Sequence, residues 1–455
     1  MKRLTEENLN KVISETEWSP DDDAGGGHTL STAGVMKFAR ELLLHFKSRK
    51  PEVLSEVSSR FGPESGFSPR FREDLELGLL IQAAAEKVAK QDYVYARKLL
   101  QKCDESGSKD GNPVQRVVYH FSQALQVKID RELGISVPND MAESHHQRKL
   151  PVDVKQAKHL LQPELIQSQQ NHALRLENHM VPCQVALDSV GSAKKVHLID
   201  FGIENGSVWT PLMQSFATRE ESNPLESLTI TAVGGCREML GMAGKWLSAF
   251  AATIDLPFSF KIVLSELKDI KDDVFEIQVD EAVVVCFRWR LLTLLAQPNQ
   301  LTSVMEVIKK LNPCVVLVNE MEASLNSPVF LERFREALFL FSGMFDCVNT
   351  CIGQDIACRK MIEEEIHWAI LNVVTAEGAE RIHRYEKIGF WRGLFSRLGW
   401  VETELGSSAL SQAELLLKRS SQFRFCTMKM DGKCLILGWK ETPFHSVSAW
   451  KFQEE

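Results

Sequence analysis

A chain of 455 residues with 53 basic and 61 acidic side chains carries a formal net charge of −8. That balance does not suit a strong autonomous nucleic-acid binder, whose affinity rests on phosphate neutralisation, although a local basic face remains compatible with it. A hydrophobic fraction of 44% and a charged fraction of 25% are ordinary for a globular protein that folds without cross-links, and the length allows about two to four domains, or one large α/β unit with a cap.

The ten cysteines form no C-x-x-C pair, and the tightest group, Cys347, Cys351 and Cys358, has no histidine at zinc-finger spacing. No metal site is expected; free thiols in a reducing compartment, cytosol or nucleus, are. The opening Met1–Glu17 is charged and polar rather than a secretory signal, and no apolar run reaches the roughly 18 residues of a membrane span.

In chain order, the acid and glycine run Asp21–Gly27 marks a flexible leader within a variable region over 1–74. From Thr32 the text turns helical, with Val35, Phe38, Leu42 and Phe46 on one face, before Pro51, Gly62, Pro63, Gly66 and Pro69 punctuate a linker. A helical cap is expected over 75–190. Leu79, Leu80, Ala83, Ala84, Val88, Ala96, Leu99 and Leu100 recur at helical spacing, with Asp92 as an N-cap between two antiparallel helices. A second group after Gly111-Asn112-Pro113 carries Val117, Phe121, Ala124 and Leu125, and a third follows Pro163 through Leu174, Leu176 and Val185. About five helices make a bundle.

The period changes over 191–455. Apolar runs at Val196–Ile199, Leu228–Val233, Phe258–Val263, Ala282–Phe287 and Cys314–Val318 alternate with helix signals such as Glu238–Phe250 and Leu301–Leu311. This alternation predicts parallel βαβ units with right-handed crossovers. Near the end, Phe425–Met430, Asp431-Gly432 and Cys434–Trp439 read as a hairpin. The fold class expected is α/β: a Rossmann-like, methyltransferase-like and mostly parallel sheet with a C-terminal antiparallel hairpin, plus an N-terminal α-helical cap.

The segment VHLIDFGIENGSVW, Val196 to Trp209, holds the strand-to-loop step where such folds receive nucleotides. Asp200, Gly202 and Gly206 could form a glycine loop for S-adenosylmethionine. The second strand, however, ends Gly234-Gly235-Cys236-Arg237, without the acid that would accept ribose hydroxyls, so no cofactor is assigned. Asp200 is expected to cap the following helix, and His197, inside the first strand, to be a hydrogen-bonded core residue. Glu320 and Glu322 end the fifth strand as paired carboxylates, expected to cap a helix or pair with arginine rather than to catalyse. No G-x-S-x-G, H-E-x-x-H or P-loop sequence is present, and no catalytic residue is assigned. Arg381, Arg384, Lys387, Arg392 and Arg397, with Trp391 among them and Glu386 as the lone acid, form either a solvated face paired with acids or a surface for weak DNA or partner contact. Trp439 and Trp450 are expected to pack the terminal hairpin onto the sheet.

These residues carry a resemblance. VHLIDFGIENGSVW, with His197, Asp200, Gly202, Gly206 and Trp209, resembles the VHIID motif of the plant GRAS proteins, the group of Scarecrow, Short-root and the DELLA repressors. The closing LGWKETPFHSVSAWKF, with Trp439, Ser448 and Trp450, resembles that family's SAW motif. The stretch 369–400 is similar to the family's PFYRE region, 311–346 to the segment before it, and 79–103 with 113–129 to its first leucine-rich region. The chain departs from the pattern at Val208-Trp209-Thr210, where the family has Gln-Trp-Pro. Its second leucine-rich stretch, RWRLLTLLAQPNQL, is short, and the leader lacks Asp-Glu-Leu-Leu-Ala, which fits a DELLA-like branch without that motif. The resemblance implies a non-enzymatic transcriptional regulator in the nucleus, with cytoplasm a second location. It would act as a homo- or heterodimerising scaffold with other GRAS proteins and transcription factors of zinc-finger type, meeting DNA mainly indirectly and no membrane. The alternative on the same fold is an S-adenosylmethionine-type methyltransferase or small-molecule sensor.

Overall fold

The computed structural model describes residues 30–47, 68–135, 173–220, 222–352, 355–419 and 424–453. The leader Asp21–Gly27, most of the linker and the start of the third helical group lie outside them. Two compact units are present: 1–144 with 324–383 and 439–442, and 145–323 with 384–438 and 443–455. Among the described residues no helix is long and apolar enough to cross a membrane.

The first unit is helical. It contains α1 (Thr32–Lys47), α2 (Pro69–Ala89), α3 (Tyr93–Ser106) and α4 (Pro113–Glu132). The Ser68 side chain and Pro69 start α2, Asp92 accepts from the Tyr95 amide to start α3, and Asn112 with Gln115 closes a full capping box on α4. The cap at Asp92 is the one the sequence signalled; at Asn112 the sequence marked only where a helical group begins. The unit is not continuous in the chain. It also takes in α9 (Phe330–Ile352) and α10 (Ile356–Thr375), a stretch that sequence reasoning placed within the 191–455 core. The reason lies in their composition: Phe334, Ala337, Leu338, Phe341 and Phe345 on α9 are buried, and Phe121 of α4 meets Phe334 edge-on at 5.3 Å. A helix with so wide an apolar face needs a helical partner more than a sheet edge.

Several charged and polar groups inside this unit are paired. Arg116 Nε donates to Glu363 Oε1 at 2.9 Å, Arg116 NH2 to Asn349 Oδ1 at 3.1 Å, and Arg359 NH1 to Glu363 Oε2 at 3.4 Å. His120 and His367 bring their Nδ1 atoms to 3.0 Å, so one must donate and the other accept. Burial, with His367 and Arg116 nearby, pushes His120 down to about 3, and burial alone pushes His367 down to about 4. Both fall below the ordinary value of about 6.5, so the unfolded chain binds these protons first. The stability held by the neutral pair is therefore full above about pH 6.5 and drains as pH falls through the folded values near 4 and 3. Denaturant midpoints measured between pH 7 and pH 4.5 should fall steeply, and a His120→Phe/His367→Phe double variant should flatten that fall.

The second unit is a doubly wound α/β sheet with α5 (Ala173–Val190) leading into it. The strands are β1 (Lys195–Asp200), β2 (Ser227–Gly234), β3 (Phe258–Leu264), β4 (Ala282–Arg288), β5 (Val315–Met321), β6 (Trp400–Thr403), β7 (Cys426–Asp431), β8 (Cys434–Trp439) and β9 (Thr442–Phe452). Their order is β3-β2-β1-β4-β5-β9-β8-β7, with β6 on β9. The first five pair in parallel, and β9 lies antiparallel to β5 with Val318 opposite Ser448. The hairpin read from Asp431-Gly432 is present, turning through Gly432 at φ +58°. This is the mostly parallel α/β architecture expected.

The parallel strands are apolar on both faces because each face has its own helical layer. Leu198, Ile230, Val284 and Leu317 point into one core with α5, α6 (Thr210–Ala217), α7 (Arg237–Thr253) and α12 (Ser407–Arg419). Ile199, Val285, Phe287 and Val318 point into the other with α8 (Pro298–Lys310) and α11 (Ile388–Arg397). The carboxyl ends of β1, β2 and β4 therefore meet one loop cluster, the place where α/β sheets present ligands.

Candidate functional site

β1 delivers Asp200 to that cluster as a fully buried carboxylate. Its Oδ1 accepts from the Gly202 amide at 2.7 Å and its Oδ2 from Trp209 Nε1 at 2.6 Å. Arg288, at the end of β4, holds NH2 3.8 Å from Oδ2. Asp200 thus ties its own loop and the indole nine residues on, instead of capping the following helix as expected: both oxygens are committed before that helix begins. Burial pushes this carboxyl above the usual range, against the pull of Arg288, Trp209 and Gly202.

The two glycines are spatial requirements. A Cβ on Gly202 would sit 2.5 Å from the Arg288 carbonyl oxygen, and one on Gly206 2.8 Å from Leu247 Cδ1. Gly206 also adopts φ +79°, which turns the chain into the short 3-10 segment Ser207–Trp209. Cys183 Sγ meets the Val208 carbonyl at 3.0 Å. The space beside these glycines is taken by the Arg288 backbone and the Leu247 side chain.

What remains is a small cleft lined by Phe201, Val233, Gly234, Ser265, Glu266 and Arg290, among others, with about 30 Å³ of free volume. That is room for roughly two waters, far short of the roughly 300 Å³ at which small-molecule pockets begin. Arg290 donates from Nε to the Phe201 carbonyl at 2.7 Å. Burial lowers its pKa while Asp200, Glu204, Glu266 and Glu320 oppose that. Arg288 and Arg290, which tie the site together, were not singled out from sequence; their only signal was a pair of basic residues directly after an apolar strand.

His197 is the hydrogen-bonded core histidine expected. Its Nδ1 lies 3.0 Å from Glu281 Oε2 and its Nε2 2.7 Å from Thr231 Oγ1. Glu320 accepts from the Leu291 amide at 2.9 Å and Glu322 from the Ile388 amide at 3.0 Å. Both acids hold helix starts, though those of distant segments rather than of the next helix. Burial takes Glu320 up to about 8 and raises Glu322 as well.

The five cations are not brought into one surface. Arg381 belongs to the helical unit, 4% exposed, where NH1 donates to the Ser327 carbonyl at 3.1 Å. It is withdrawn as a DNA or partner contact because its guanidinium is consumed inside the fold. In the sheet unit Arg392 grips Glu402 at 2.8 and 3.2 Å and Asp431 at 2.7 Å, and Glu402 leads in raising its pKa. Arg384 is half-buried, while Lys387 and Arg397 are exposed at the two ends of α11. Trp391 is buried and donates to the Glu386 carbonyl at 3.1 Å.

In the closing motif, Trp450 donates to Ser448 Oγ at 2.9 Å and meets Phe395 edge-on at 4.7 Å, against the sheet as expected. Trp439 does not. Its Nε1 donates to Asp346 Oδ2 of α9 at 2.8 Å, because the strand ends at this residue and the chain 439–442 joins the helical unit.

The model of the GRAS domain family matches residues 77–451. The DELLA protein RGL1 of Arabidopsis thaliana is 30% identical over 425 residues, covering 92% of this chain and 78% of that protein. The DELLA protein RGL3 of the same plant is 34% identical over 281 residues, covering 61% of this chain and 53% of that protein. This chain spans about half to four-fifths of these two relatives. A crystal structure titled SCL7 in Oryza sativa superposes with a TM-score of 0.69 at 25% identity, covering 82% of this chain and 99% of that one. With a family model spanning most of its length, an α/β sheet whose first turn is the clamped VHLID segment and a closing strand built on Ser448 and Trp450, the chain belongs to the GRAS domain family of plant regulatory proteins.

Proposed function

We propose that this protein is a non-enzymatic transcriptional coregulator. It works in the nucleus as a scaffold, dimerising with itself or other GRAS proteins and reaching promoters through DNA-binding partners of zinc-finger type. Two observations support this reading over the methyltransferase alternative: the Asp200 carboxylate is committed to Trp209, and the cleft lined by Phe201, Gly234 and Arg290 holds only about 30 Å³, too little for a nucleoside. A rigid platform with its ligand mouth filled by its own residues suits docking, not turnover.

Proximity labelling from the tagged protein in plant nuclei should recover transcription factors; a purely cytosolic set without any would overturn the reading. Calorimetry with S-adenosylmethionine at about 1 mM should show no binding heat, since affinities tighter than that correspond to more than about 4 kcal/mol of binding. Saturable heat from the folded wild-type chain would favour the alternative. On DNA, the pairing of Arg381 and Arg392 inside the protein and the net charge of −8 predict feeble duplex binding, lost by about 200 mM salt. A gel-shift series against salt reads this directly, and tight sequence-specific binding by the purified chain alone would contradict it.

A further inference from the structure

We propose that Cys347 and Cys351, one turn apart near the end of α9, form a dithiol that hydrogen peroxide converts reversibly to a disulfide. Their sulfurs stand 4.0 Å apart. Cys351 is half-buried and accessible, whereas Cys347 lies beneath it, 1% exposed. Either thiol can donate across this contact, and the contact with Cys347 lowers the Cys351 pKa, against burial and Asp346. Elsewhere burial acts the other way: Cys103 and Cys183 are pushed up to about 12, and Cys286 and Cys434 are raised also. The thiolate is the nucleophile, so reactivity concentrates at Cys351, with a second sulfur in place to resolve the product.

The chemistry balances. The Cys351 thiolate attacks one peroxide oxygen, the O–O bond breaks and hydroxide leaves, taking a proton to become water; the sulfur is now a sulfenic acid. The Cys347 sulfur then attacks that sulfur, and the sulfenic oxygen departs as a second water. Two thiols are oxidised by two electrons and one peroxide is reduced. To bond, the sulfurs must close from 4.0 Å to about 2.05 Å, and side chains one turn apart on a helix start wider than a disulfide prefers. The last turn must therefore open. It can, because α9 ends at Ile352, one residue past Cys351, where carbonyls have no helical partner. Asp346, directly before Cys347, accepts from Trp439 Nε1 at 2.8 Å and from Lys440 Nζ at 3.1 Å, so opening this turn loosens the hold on the 439–442 segment.

The test treats the full chain with dilute hydrogen peroxide, blocks remaining thiols with N-ethylmaleimide and sequences the tryptic peptide 336–359 by mass spectrometry. Oxidation at Cys351 should run at least about tenfold faster than at Cys236, Cys314 or Cys426. The product should be a 347–351 disulfide, reversed by dithiothreitol, with faster hydrogen exchange at the end of α9 and in 439–442. Cys347→Ser should leave Cys351 as a dimedone-reactive sulfenic acid. Cys351→Ser, at the half-exposed position, should leave Cys347 unreacted. A disulfide from Cys351 to Cys358, or oxidation of the other half-exposed cysteines first, would overturn the proposal.

Discussion

Asp200→Ala is expected to cost about 3–5 kcal/mol, the range for removing one member of a buried charge pair. The variant strands three groups at once. The Trp209 indole N–H and the Gly202 amide lose their acceptor, and Arg288, 4% exposed, loses its nearest anion. Each orphaned donor alone costs about 1–3 kcal/mol. Urea unfolding followed by circular dichroism should show the midpoint collapse with little change in slope. Asp200→Asn provides the control: its amide oxygen can still accept from one donor, so it should recover part of the loss but not the part due to Arg288. If alanine were neutral here, the clamp would not hold the site together.

Trp450→Ala is expected to cost about 3–5 kcal/mol through lost packing and the void it leaves. The indole is 1% exposed, sits against Phe395 and forms part of the core that includes Trp391 and Trp400. Its strand is held by β5 on one side and β6 on the other, so the backbone beside the void has little freedom to close it. Trp450→Phe keeps most of the volume and loses the bond to Ser448, and should cost well under half as much. The same denaturation series reads both. In cells, a loss of this size appears as low abundance before any partner is lost, so an interaction assay on the tryptophan variant should be normalised to folded protein.

The parallel half of the sheet was legible because its strands are short apolar runs between helix signals; Val283-Val284-Val285 and Val315-Val316-Leu317-Val318 hardly admit another reading. β9 was not. It carries Thr442, His445, Ser446 and Ser448 at buried positions. Ser446 and Ser448 satisfy themselves on the carbonyls of Glu320 and Val318, so hydrophobic alternation is broken where the strand is most enclosed. β6 has four residues, too few for any period. At the site, Asp200 and the glycines could be picked out, but not their purpose. The bond from Asp200 to Trp209 exists only because Gly206 reverses the chain at φ +79°, and a sequence shows the glycine without showing what the turn brings together. Arg381 failed for the opposite reason. An arginine beside other cations looks like surface, and its carbonyl partners at Leu325 and Ser327 lie more than fifty residues away.

The helical unit is stitched from three stretches, 1–144, 324–383 and 439–442. On the ribosome, its early helices must wait for some two hundred intervening residues before α9 and α10 emerge, and for the final strands before Trp439 reaches Asp346. Deletion mapping with an amino-terminal piece alone would expose the apolar faces of α2 and α4 and so invite chaperone capture. A bait cut before residue 324 would report stickiness where the intact chain offers selectivity.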